Sequence, residues 1–207
     1  MTNRLFPIDL PELEWVEFEA EGFSRPVSGV IYRSGKPTCC GVPLGGISTG
    51  CLDIEVTGVL GYSSLFNPVS PGDPSKNRIP RIPPTYQPFL GLAVGGQTWV
   101  LEAERMLEGG EVAVCTDPMF AEKQDWMRLP KIEGVKGAKE IHYWGHYPIA
   151  DLEYEIDAPV SVGLRAWAPF LPGDAAPSNI PAAVFEVHLR NDTPDWQVGT
   201  LVFTFPG

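Results

Sequence analysis

No run of about 20 apolar residues occurs in this chain, which excludes a helix spanning a bilayer. The first nine residues, Met1 to Asp9, lack the apolar core of a signal peptide, and this predicts a cytoplasmic protein. Basic residues are scarce: 15 Lys and Arg stand against 26 Asp and Glu, a net charge of −11. That balance argues against nucleic acid or an anionic membrane as the main partner. Only four cysteines are present, at 39, 40, 51 and 115, with no Cys-x-x-Cys spacing for zinc. Buried free thiols in a reducing compartment follow, although a Cys40–Cys51 pair across a turn stays open. No Gly-x-x-x-x-Gly-Lys-Ser/Thr loop and no Gly-x-Ser-x-Gly elbow occurs, so neither a nucleotide site nor a serine nucleophile is predicted. Helical periodicity is equally sparse. The best helix candidate is residues 119–128, after Asp117-Pro118 as cap and first turn.

What is present is turn chemistry and two-residue alternation. Gly and Pro each number 22 without a collagen period, which predicts many turns and long ordered loops. Gly41, Gly45, Gly46 and Gly50 fall within ten residues and lead into Leu52, Ile54 and Val56, alternating with Asp53, Glu55 and Thr57. This reads as a backbone-driven turn feeding a half-buried strand. Leu90, Leu92 and Val94, then Gly95-Gly96, then Trp99-Val100-Leu101 read as a hairpin with a two-residue turn. Later alternations predict strands over 152–156, 160–168, 183–189 and 198–205. Another strand is expected at 27–32, in a loosely structured lead-in over residues 1–38. Residues 67–88 hold seven prolines and read as a long ordered loop. Strands joined by short turns with little helix make residues 39–207 an all-β, antiparallel β-sandwich. Its last strand, with Leu201, Phe203 and Phe205, is apolar enough to need further partner strands, which suggests an incomplete sandwich.

Three constellations invite chemistry. His142 and His146 have the spacing of a helical zinc pair, but Tyr143, Trp144, Gly145 and Pro148 favour a strand and turn. A packed aromatic–histidine cluster is the better reading, with no metal and no cofactor. Asp151, Glu153, Glu155 and Asp157 form an acidic stripe whose same-face neighbours lie about 7 Å apart, an awkward separation for a glycosidase pair. Most of the stripe should face solvent, with Asp151 the member able to point into a cleft. Trp144, Tyr147, Trp167 and Phe170, with the loop from Pro172 to Asn179, have the composition of a sugar site, though also of packed core or interdomain filling.

The Gly-rich motif at 40–53 resembles the entry motif of glycoside hydrolase family 116, the family of bile-acid β-glucosidase (non-lysosomal glucosylceramidase). Two further stretches are similar to that family: His142-Tyr143-Trp144-Gly145-His146-Tyr147-Pro148-Ile149-Ala150-Asp151, and the run from Pro159 through Phe170-Leu171-Pro172-Gly173-Asp174 to Val187. The resemblance implies an N-terminal β-sandwich packed on a C-terminal α-helical toroid. The parent would be a retaining glycosidase acting on a β-linked glycoside, with a Glu nucleophile and an Asp acid/base. Neither residue has a counterpart here, so no catalytic position is assigned. The expected partner is the C-terminal catalytic domain, with Asp174, Asn179, His146, Asp151 and Trp167 as substrate-cleft candidates. The alternative is a stand-alone carbohydrate-binding or interaction module.

Overall fold

A computed structural model describes residues 4–6, 16–19, 24–33, 41–47, 49–60, 64–65, 90–113 and 126–205. Their strands, in chain order, are β1 (Val16–Phe18), β2 (Val27–Arg33), β3 (Val42–Leu44), β4 (Gly50–Ile54), β5 (Ser64–Leu65), β6 (Leu90–Val94) and β7 (Gln97–Ala103). There follow β8 (Glu108–Ala113), β9 (Trp126–Lys131), β10 (Lys136–Ala138), β11 (Glu140–His146), β12 (Ile149–Glu155), β13 (Val160–Trp167), β14 (Val184–Asn191) and β15 (Gly199–Phe203). One helical turn, α1 (Ala175–Ser178), lies between β13 and β14.

A six-stranded sheet, β1-β2-β11-β12-β13-β14, packs on a four-stranded sheet, β10-β7-β6-β15. Alternation explains the packing. Ile141 and Tyr143, Leu152 and Tyr154, and Val162 and Leu164 point inward from the larger sheet, while Leu90, Leu92, Trp99 and Leu101 meet them from the smaller one. All belong to one buried cluster, as a two-layer sandwich requires. The four late strands form as the alternation predicts, and the strand expected at 27–32 forms too. The hairpin at 90–101 does too. Val94 faces Gln97, and Gly95 and Gly96 both have positive φ, +59° and +74°, as a two-residue primed turn demands. Pairing is antiparallel throughout the larger sheet, whereas β10 joins β7 in parallel.

Three expectations need correction. Residues 126–128 are not helical: Trp126, Met127 and Arg128 pair with Ala113, Val112 and Glu111. Pro130, two residues on, cannot donate to a helix ladder but is tolerated in a two-stranded ribbon. The 119–125 part of that candidate, like the Pro-rich loop at 67–88, lies outside the described residues. The strand after the Gly-rich turn stops at Ile54, because Glu55 N–H bonds Val59 O (3.0 Å) and Gly58 N–H bonds Glu55 O (2.8 Å) in a turn. Asp53, Glu55 and Thr57 are consequently buried instead of forming an exposed face. Asp53 tolerates this by accepting the Gly41 N–H at 2.7 Å.

The acidic stripe does lie on the outer face of the larger sheet, but that face is partly covered. Phe6 is buried there, edge-on to His188 at 5.1 Å and beneath the Arg165 guanidinium at 5.3 Å. A Cβ on Gly163 would meet the Phe6 ring at 2.5 Å, so glycine makes the notch. Glu153 accepts the Leu5 N–H at 3.2 Å, and Arg4 lies over Trp144 at 5.5 Å. The stripe is also paired: Asp157 with Lys139 at 2.7 Å, Glu155 with His142 at 2.6 Å.

Candidate functional site at one end of the sandwich

Three segments distant in sequence meet at one end of the two sheets. The Gly-rich turn between β3 and β4 donates the Ile47 N–H to the Ser178 carbonyl at 2.8 Å. Gly46 lies so close to the neighbouring loop that a Cβ would sit 2.5 Å from Ile180 O. No side chain fits there without moving backbone. The turn between β11 and β12 joins the same loop through Tyr147, whose ring meets Phe170 edge-on at 5.3 Å. Ala168 N–H donates to Pro148 O at 3.1 Å, fixing the hairpin tip against the end of β13.

The loop over residues 169–181 is held from within. Asp174 caps α1, its carboxylate accepting the Ala176 N–H at 3.2 Å. Ser178, only 1% exposed, is the hub: its Oγ accepts the Leu171 N–H at 2.9 Å and lies 2.6 Å from Asp174 O and 3.1 Å from Leu171 O. Asn179 ends the turn, its N–H donating to Ala175 O at 3.0 Å. Asp174 and Asn179 therefore flank one short helical turn, and both side chains are exposed. Around them Ile47, Tyr147, Phe170, Leu171 and Ile180 are also exposed. The end thus offers an aromatic and apolar surface with two polar tips on a braced backbone.

The other three candidates sit deeper. Asp151 is 1% exposed and accepts two hydrogen bonds from Arg165, Nε to Oδ1 at 2.8 Å and Nη2 to Oδ2 at 3.0 Å. His146 is buried beside them, its Nε2 3.8 Å from Asp151 Oδ2. Burial alone would raise the Asp151 carboxyl, but the contact with His146 and the bonds and charge of Arg165 outweigh it and hold it below its ordinary value. A carboxylate so engaged keeps its charge and braces β12 to β13. Trp167 is half-buried at the end of β13, its Nε1–H donating to Glu186 Oε1 at 2.6 Å. Asp174, Asn179 and the Tyr147 turn meet at the surface, whereas His146 and Asp151 belong to the sheet beneath it.

The two histidines of the zinc-like spacing occupy one strand, β11, and engage different partners. His142 bonds Glu155 and stacks on Trp144 at 6.1 Å, as the aromatic–histidine reading expects. Glu140, His142 and Glu155 bring three ligand atoms within 4.8 Å of one another, the one grouping of this kind among the described residues. Its closest pair is already a hydrogen bond. Among the thiols, Cys51 is free and half-buried; Cys39, Cys40 and Cys115 lie outside the described residues.

Sequence reasoning missed Ser178, Arg165 and the Ile47 contact. A signal existed for the first: Asp174 directly before the proline-containing turn Ala175-Ala176-Pro177-Ser178 is a helix start. Arg165 carried none, because only the β12–β13 register sets it opposite Asp151.

Residues 41–206 match the model of the family described as "beta-glucosidase 2, glycosyl-hydrolase family 116 N-term". The chain belongs to that family. No curated protein matches it. No helix among the described residues is long and apolar enough to cross a membrane.

Proposed function

We propose that this glycosyl-hydrolase family 116 N-terminal domain is the non-catalytic sandwich of a retaining β-glucosidase, of the glucosylceramidase-like type. It supports a C-terminal (α/α) catalytic domain and lends one end to the substrate cleft. The observation that carries this reading is the convergence of the Gly-rich turn, the Tyr147 turn and the loop over 169–181. Loops braced by a rigid sheet place polar groups well. Exposed Tyr147, Phe170 and Leu171 beside Asp174 and Asn179 suit either the partner domain or the apolar face of a sugar. Catalysis itself is assigned elsewhere. Retaining hydrolysis needs two carboxyls about 5 Å apart, one with a raised pKa, and Asp151 is shifted downward and committed to Arg165. A cytoplasmic setting fits the free thiol of Cys51.

The rival reading as a stand-alone carbohydrate-binding module loses one of its four candidate aromatics, since Trp144 is buried beneath Arg4. The test is an assay of the 207-residue chain on aryl β-glucosides. No turnover is expected. A rate abolished by one Asp or Glu substitution within this chain overturns the proposal.

A further inference from the structure

Strand register gathers two carboxylates and an imidazole on the outer face of the larger sheet. Glu140 and His142 are two residues apart on β11, so both side chains leave the same face. Glu155 on β12 stands directly opposite Glu140 and diagonal to His142, whose own cross-strand partner is Glu153. One ligand atom from each of the three lies within 4.8 Å of the other two. His146 takes no part in this group, so the spacing of the two histidines along the chain does not reveal it.

The imidazole is held in place. The His142 side chain is 13% exposed, its ring stacks on Trp144 with 25° between the planes, and its Nε2 lies 2.6 Å from Glu155 Oε1. Glu155, by contrast, is 55% exposed and opens the group to solvent. Electrostatics favours a cation between the strands. Like charges directly opposite on antiparallel strands repel, and Glu140 faces Glu155 in that way. Lys139 does not relieve them by a bond, because its ammonium is committed to Asp157 at 2.7 Å. With a neutral imidazole the trio carries two negative charges, which one divalent cation cancels.

We propose that Glu140, His142 and Glu155 form a zinc site that bridges β11 and β12, with water in the fourth position. One imidazole and two carboxylates suit zinc, whereas calcium and magnesium prefer oxygen ligands alone. Tetrahedral zinc, about 2.0–2.2 Å from each ligand atom, keeps those atoms about 3.3–3.6 Å apart. The His142–Glu155 contact must therefore open by about 1 Å, and the widest separation must close by about as much. Rotation of the exposed Glu155 side chain supplies both movements. The proton shared by Nε2 and Glu155 passes to Nδ1 or to solvent as the ion binds. Because the unfolded chain does not hold the three residues together, the bound ion stabilises the folded state.

The test uses the 207-residue chain, stripped with a chelator and titrated with zinc chloride in a calorimeter. One equivalent is expected to bind in the micromolar range and to raise Tm. Cobalt(II) in its place is expected to show the visible absorption of a tetrahedral ion. Glu140→Gln and His142→Ala should each weaken zinc binding at least tenfold, while His188→Gln leaves it unchanged. Glu140→Gln also removes the like-charge pair, so its zinc-free Tm should equal or exceed that of the parent while the rise with zinc disappears. This variant keeps the test decisive if His142→Ala fails to fold. Absence of zinc binding overturns the proposal. So does binding that Glu140→Gln leaves unchanged, which marks an adventitious ion only.

Discussion

The Ile47 N–H donates to the Ser178 carbonyl across 2.8 Å, tying the Gly-rich turn to a loop 131 positions later in the chain. Two backbones can approach so closely because Gly46, next to Ile47, has no side chain. Gly46→Ala should therefore separate the turn from the loop. Overpacking against backbone typically costs about 1–3 kcal/mol, and urea unfolding should show a loss of that size. Gly96 provides the contrast. A Cβ there meets nothing within 4 Å but must adopt φ +74°, so Gly96→Ala should cost only about 1 kcal/mol.

Asp151 and Arg165 give a pH signature. The Asp151 carboxyl titrates below its ordinary 3.8 when folded, so its stabilisation is complete above that value and is lost as pH falls through the folded pKa. Asp151→Asn should cost roughly 2–4 kcal/mol at pH 7, less than a fully buried pair because the Arg165 side chain is 29% exposed. The gap between wild type and variant should close as pH drops below about 4. Urea midpoints measured from pH 7 to 3 check this.

Phe6 should hold residues 4–6 to the outer face of the larger sheet. Phe6→Ala removes a buried ring from the Gly163 notch and should destabilise by about 2–4 kcal/mol. Hydrogen exchange at the Leu5 amide, which bonds Glu153, should accelerate in the same variant.

Alternation made β6 and β12 to β15 legible, because their apolar residues share one face, whereas β1 and β10 were not read from the sequence. The Gly95-Gly96 hairpin was legible for a similar reason, since two positive φ values leave few residue choices. Other features depend on register between distant strands, which local pattern does not encode. Asp53, Glu55 and Thr57 alternate with apolar neighbours as exposed residues would, yet tertiary hydrogen bonds such as that from Gly41 allow their burial. Residues 126–128 read as helix until β8 takes them as a partner strand. At the site, the polar tips Asp174 and Asn179 were legible from their loop. The burial of Asp151 was not, because Arg165 reaches it only once β12 and β13 align.

The role proposed for the loop end is tested most directly by kcat/KM on an aryl β-glucoside, measured in the full-length enzyme carrying Asp174→Asn with Asn179→Ala. Asparagine is as good a helix cap as aspartate, so the first change removes charge while keeping the α1 turn. The account predicts a fall of at least fivefold in kcat/KM with Tm unchanged, the mark of lost substrate positioning. An unchanged kcat/KM at unchanged Tm contradicts it and leaves this end as a structural seal.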